Sequence, residues 1–156
     1  MIDSLDPIPA ENIFRLDPKR RQAIPYFSAQ VQAGFPSPAD NIIETSLNLQ
    51  DLCVAHPDCT YFVKATGESM LGDYIFPGSI LVVDSAIPIE MGNVVVCWLN
   101  GDCCVKRFLR VGKMIILEPS NENYSPIYVH KDRDTFRVLG VVTYVVSKPP
   151  RYVRPD

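Results

Sequence analysis

A mainly β fold, preceded by one or two short helices and a flexible N-terminal arm, is what the sequence predicts. Three observations carry that expectation. From Tyr61 onward the chain is built of short runs rich in Val, Ile and aromatic residues, "YFVKA", "SILVVD", "NVVVCWL", "DCCVKRFL", "KMIILEP" and "FRVLGVVTYVVS", the residue types that suit a pleated, half-buried surface. Gly, Pro and Asn interrupt those runs at strand-like intervals. Asn100-Gly101 between "CWL" and "DCC" is the strongest short hairpin signal, because a type I′ turn needs positive φ at both central residues.

Residues 1–26 hold four prolines and mix charges with isolated apolar residues, so neither periodicity persists, and they read as a loosely docked arm. Ala33-Gly34 follows, a step between small residues just before "FPSP", which marks an accessible, extended, protease-sensitive stretch. Ser37 reads as an N-cap with Pro38 at N1 and Asp40 at N3, starting a short helix to about Glu44. A second short helix is expected from Asn48, with Leu49, Leu52 and Cys53 on one face and Pro57 as its stop. The type I′ turn pairs Leu99 with Asp102 and Val95 with Lys106, and a further hairpin is expected at Val111-Gly112. The resulting division is an arm over 1–33, a linker with short helices over 34–60, the β domain over 61–148 and a tail over 149–156.

The chain has 156 residues, 47% of them hydrophobic, enough for one core with extensions. A net charge of -3 and a pI near 5.3 argue against strong direct DNA binding, which needs clustered Lys and Arg. The arm carries four acids and four bases, so the negative excess lies in residues 34–156. Five cysteines without a C-x-x-C pair suggest a reducing, cytoplasmic setting. Cys53, His56 and Cys59 have ligand-like spacing but no fourth partner close in sequence, so a structural role is expected, with no metal and no cofactor. No basic n-region precedes an apolar run at the N-terminus, and no stretch approaches the ~18 apolar residues of a membrane span.

Chemistry centres on Ser69 in "TGESMLG". A serine hydroxyl is a weak nucleophile until a base takes its proton. His56 lies before Pro57 and His130 in the polar loop "VHKDRD", so both read as surface or capping residues. The alternative base is a lysine, which must be desolvated to be neutral near pH 7. Strand alternation puts Cys104, Lys106 and Phe108 on one face and Val105 and Arg107 on the other, giving Lys106 apolar neighbours. On these residues alone a snorkelling lysine and a serine in a turn are the commoner cases.

The wider arrangement adds specificity. "VQAGFPSPA", "HPDCTYFVKATGESM", "PGSILVVDSA" and "VKRF", in this order and with a lysine 37 residues beyond the serine, closely resemble the LexA/UmuD family of self-cleaving serine peptidases of the SOS response, from about Pro25 to Ser147. The resemblance implies a LexA/UmuD-like catalytic β domain in which Ser69 is the nucleophile, Lys106 the general base, Ala33-Gly34 the bond cut, and backbone N–H groups around Glu68 and Ser69 the oxyanion hole. It also implies a homodimer, stimulation by RecA filaments on single-stranded DNA, a UmuC-type translesion polymerase as partner of the processed form, and the polymerase sliding clamp as a further candidate. Met70 and Leu71 read as wall or core residues. About the first 24 residues find no match in the family pattern, and Cys103-Cys104, unusual there, read as packing residues.

Three other readings remain open at this level. One is a catalytically silent polymerase accessory. A truncated LexA-type repressor is another, although 33 proline-rich residues are too few for a helix-turn-helix domain. A signal peptidase, the third, would need a membrane anchor.

Overall fold

The computed structural model describes residues 7–15, 23–27 and 44–150. Among the described residues, ten strands form two sheets: β1 (Ile13–Arg15), β2 (Ala23–Phe27), β3 (Glu44–Asn48), β4 (Thr60–Lys64), β5 (Ile80–Asp84), β6 (Val94–Leu99), β7 (Asp102–Val111), β8 (Met114–Glu118), β9 (Ile127–Val129) and β10 (Phe136–Val146). Eight of them make one antiparallel sheet in the order β1-β4-β5-β10-β6-β7-β8-β9, and β2 pairs with β3. The α-helix α1 (Leu49–Cys53) joins β3 to β4 by way of a 3-10 turn at Pro57–Cys59.

Two clusters of buried side chains show why the strands read as nearly continuous apolar runs. Val63, Ala65, Met70, Leu81, Val83, Val96, Cys103 and Val105 belong to one, and Val95, Cys97, Leu99, Cys104, Leu117, Val129 and Val141 to the other. Successive residues of β6 and β7 feed alternate clusters, as the two-residue strand period requires. A sheet covered on both faces removes the usual alternation of apolar and polar residues.

The long β10 splices the sheet together. Its first half pairs with β6 and its second half with β5, with irregularities at Val138/Gly140 and Val142/Tyr144 where it changes partner. Gly140 is needed there: a Cβ on it would lie 2.6 Å from the Asp84 carbonyl oxygen.

The β6–β7 hairpin has the expected turn and register. Asn100 (φ 52°) and Gly101 (φ 90°) are both left-handed, Leu99 faces Asp102 and Val95 faces Lys106. The turn is also held from outside, because Asn100 donates to Asp134 Oδ1 and accepts from the Thr135 amide. Donation from the His130 backbone and from Asn100 holds the Asp134 carboxyl below the usual range. The next hairpin turns one residue later than expected, on Gly112-Lys113, because Val111 pairs with Met114.

Other elements depart from the sequence reading. Asn48 does cap α1, accepting from the Gln50 amide, but the helix ends at Cys53, before Pro57, which instead begins the 3-10 turn. Leu49 and Leu52 are exposed, and Val54 supplies the buried anchor. Five residues are too few to develop a buried face. The helix expected from Ser37 lies outside the described residues except at Glu44, where the chain is already strand, paired with Phe27. Pro25 is accommodated in β2 because a two-stranded sheet consists only of edges. Residues 8–15, read as a loose arm, are docked: Ile8 is buried in the first cluster and β1 pairs with β4. β9 was too short, at three residues, to register as a run.

Candidate active site

Ser69 occupies a tight excursion between β4 and β5. The loop is closed at its base, where Ala65 N donates to Ser79 O (2.8 Å) and Gly78 N to Ala65 O (2.8 Å). Inside it, Gly67 takes φ 74°, a left-handed conformation that only glycine adopts without strain. Met70, 2% exposed, drives the tip of the excursion into the core. The chain then closes into a 3-10 turn at Leu71–Asp73, and the Asp73 and Ile75 amides both donate to Met70 O. Ser69 itself is buried.

Lys106 comes from the middle of β7, opposite Val95. It is 0% exposed, the largest side chain so completely enclosed among the described residues. Its Nζ donates to Ser69 Oγ at 2.9 Å and to Val105 O at 3.1 Å. The structure thus brings together the two residues expected to meet, 37 positions apart, already within proton-transfer distance.

Full burial disfavours the ammonium form of a lysine. Two of the nearby thiols resist ionisation. Contact with Cys104, at an Sγ–Sγ distance of 3.7 Å, and burial push the Cys97 thiol well up, against a smaller opposing effect of Lys106. Burial pushes Cys103 up to about 12. Both therefore stay neutral near pH 7. As expected, Cys103 and Cys104 are buried core residues.

The serine turn is clamped from a direction the sequence did not reveal. Ser120 N donates to Ser69 O (2.8 Å), Gly72 N donates to Ser120 O (2.7 Å), and Asn121 Nδ2 donates to Glu68 O (2.8 Å). A Cβ on Gly72 would lie 2.4 Å from Ser120 Oγ, so glycine lets the two loops touch. A surface cleft of about 570 Å³ opens beside this clamp, lined by Glu68, Leu71, Gly72 and the loop 120–123. It borders Glu68, the residue before Ser69. Arg107 supplies a second tie, because its guanidinium contacts both the Asp73 carboxylate and the Gly92 carbonyl. It thereby joins the turn after Ser69 to the strand that carries Lys106. The Asx-rich "PSNEN" stretch was the only sequence signal for the clamp.

The remaining candidates fall elsewhere. His56 Nδ1 lies 2.6 Å from Asp84 Oδ2, at the end of β5. His130 uses its backbone amide on Asp134. Among the described residues no group of three or more His, Cys, Asp or Glu could hold a metal ion, and no helix is long and apolar enough to cross a membrane. The described cysteines are all free thiols. Ala33 and Gly34 lie outside the described residues.

Comparison with known proteins gives a consistent result. Residues 25–143 match the Peptidase S24-like family. Protein MucA of Salmonella typhimurium is 34% identical over 135 residues, covering 86% of this chain and 92% of that protein. Protein ImpA of Shigella flexneri is 36% identical over 124 residues, covering 80% and 83%. The LexA repressor of Psychromonas ingrahamii is 33% identical over 117 residues, covering 75% of this chain and 56% of the repressor.

Proposed function

The chain belongs to the S24-like peptidases of the LexA/UmuD type, and from that premise we propose that it is a serine endopeptidase that cuts its own Ala33-Gly34 bond with a Ser69-Lys106 dyad. The observation that carries this reading is the 2.9 Å contact between Lys106 Nζ and Ser69 Oγ, with both residues buried. A buried amine loses its charge more readily than an exposed one and becomes a base.

In the proposed reaction neutral Lys106 takes the Ser69 proton as Oγ attacks the Ala33 carbonyl carbon. The oxyanion that develops is held by backbone N–H groups around Glu68 and Ser69. The clamp from Ser120 and Asn121 supports that assignment, because it fixes both carbonyls of the turn and hence the direction of its amides. The Lys106 ammonium then gives its proton to the departing Gly34 nitrogen, leaving an ester between Ala33 and Ser69. Water, deprotonated by the same amine, hydrolyses the ester, leaving Ala33 as a free carboxylic acid and returning Ser69 Oγ–H. Small residues suit the cut site because the segment must pass close to an enclosed lysine.

The proposed setting is the cytoplasmic SOS response. RecA filaments on single-stranded DNA stimulate the cut, and the processed chain, as a homodimer, joins a UmuC-type translesion polymerase, with the sliding clamp as a further contact. The acidic excess in residues 34–156 suits protein partners better than DNA. The domain division places the cut between the arm over 1–33 and the linker over 34–60.

Mass spectrometry of the intact protein, with and without RecA, ATP and single-stranded DNA, tests the reading. The expected result is a fragment beginning at Gly34, absent in Ser69→Ala and in Lys106→Ala. A wild-type chain that stays intact both with activated RecA and at alkaline pH would rule out the protease reading and leave the silent accessory.

A further inference from the structure

Pro7–Arg15 precedes the family-matched span, which begins at residue 25, yet it is built into the peptidase body. Three features hold it. β1 forms the outer strand of the large sheet, pairing Ile13, Phe14 and Arg15 with Val63, Phe62 and Tyr61. Ile8, 3% exposed, packs in the cluster that contains Val63, Met70 and Val105. Hydrogen bonds to its backbone fix the approach, since Ile8 N donates to Cys103 O and the Thr66 hydroxyl donates to Pro7 O at 3.0 Å. Met70 directly follows Ser69 and Val105 directly precedes Lys106, so Ile8 shares a packed cluster with the immediate neighbours of both.

We infer that Pro7–Arg15 is a tethered strand ligand of the body that stays bound after the chain is cut at 33-34, so that the processed protein is a two-piece complex. The inference rests on the proposed cleavage site only for the place of the cut. Cutting at 33-34 leaves every contact named above intact, because all of them join residues 7–15 to residues 61–105. Loss of the segment, by contrast, would empty the Ile8 socket and leave the β4 edge with unpaired backbone groups, an open template for another strand. Retention of the segment therefore keeps that edge covered until a competing extended peptide displaces it. The occupant in the intact protein is this chain's own segment.

The test separates retention from self-cleavage. In full-length Ser69→Ala protein, a recognition sequence for a site-specific exogenous protease is placed between Ala33 and Gly34, and the protein is cut to completion. Size-exclusion chromatography with mass spectrometry is expected to find the 1–33 peptide co-eluting one to one with the body. Amide exchange at 13–15 and at Val63 should remain as slow as in the uncut chain. Ile8→Asp should release the peptide, and Ile8→Ala, the milder change, should weaken retention at least tenfold. A peptide that elutes alone, with residues 13–15 exchanging as in a free peptide, overturns the inference. So does slow exchange at 13–15 that Ile8→Asp leaves unchanged. Failure of the wild type to cut itself with activated RecA would count against the proposed function and leave this result standing.

Discussion

Replacing Lys106 by Met should abolish self-cleavage while leaving the fold as stable or more so. The lysine is 0% exposed and its Nζ has hydrogen bonds to Ser69 Oγ and Val105 O. Each neutral hydrogen bond contributes about 0.5–1.5 kcal/mol net, so losing both costs about 1–3 kcal/mol. Against that, replacing a buried charged or polar group by an apolar side chain of similar volume is often neutral or stabilising by about 1–4 kcal/mol. Met has a similar length and fills the same tunnel with apolar atoms. The balance favours Met by about 1–2 kcal/mol, which for a chain of this size raises Tm by about 2–8 °C. Removal of the general base should meanwhile slow cleavage by about 10²–10⁴-fold. Lys106→Arg is the informative companion: a guanidinium cannot be deprotonated, so this variant should be inactive and less stable than wild type. Thermal melts and time-resolved mass spectrometry of the Gly34 fragment, run on the same preparations, measure both effects. Cleavage by Lys106→Met at the wild-type rate would refute the role of the amine. A fall in stability of more than about 2 kcal/mol would refute the desolvation reasoning.

The clamp and the thiols give further expectations. Gly72→Ala brings a Cβ to 2.8 Å from the Ser120 carbonyl oxygen, a backbone atom that cannot rotate away, so the loop must shift at a cost of about 1–3 kcal/mol; melting and cleavage rate should both fall. Asn121→Ala removes the donor to Glu68 O and should cost about 1 kcal/mol and slow cleavage, whereas Asn121→Asp, which sets a carboxylate against that carbonyl, should slow it more. Under native conditions at pH 8, maleimide labelling followed by peptide mapping should find Cys53 and Cys59, which are half-buried, and not Cys97, Cys103 or Cys104. Cys103 also predicts an alkaline limit. Its thiol is neutral in both states below the ordinary 9.0, so its contribution to stability is complete there. Between pH 9 and its folded value of about 12 the unfolded chain loses the proton first, and stability falls by about 1.4 kcal/mol per pH unit. Urea unfolding from pH 8.5 to 10.5 should show a shallower decline in Cys103→Ala, and equal slopes would contradict the assignment.

Much of this protein was legible without coordinates wherever one local rule governed the outcome. Asn100-Gly101 fixed its own turn type, the turn fixed the register, and the register placed Lys106 opposite Val95 on a face shared with Cys104. Asn48 capped α1 for the same kind of reason, through a bond two residues away. Where a rule needed support from beyond the segment it fell short: the expected apolar face of α1 is exposed, and the turn at Gly112-Lys113 was displaced by one residue because pairing with β8, not the glycine, set it. The arm shows the limit most clearly. A three-residue strand and a single buried isoleucine among prolines and charges leave no periodic signal, yet β4 had an edge to be covered and the core had a socket to be filled. The clamp from Ser120 and Asn121 left no more than an Asx-rich turn signal, and the Arg107-Asp73 tie left none, since each joins residues tens of positions apart. By itself, then, the sequence determined six of the strands after residue 59, the register of the β6–β7 hairpin and the identity of a serine and a lysine 37 residues apart. Only the tertiary structure decided that they meet at 2.9 Å with the amine fully enclosed, because desolvation is a property of everything packed around a group and not of the residues beside it in the chain.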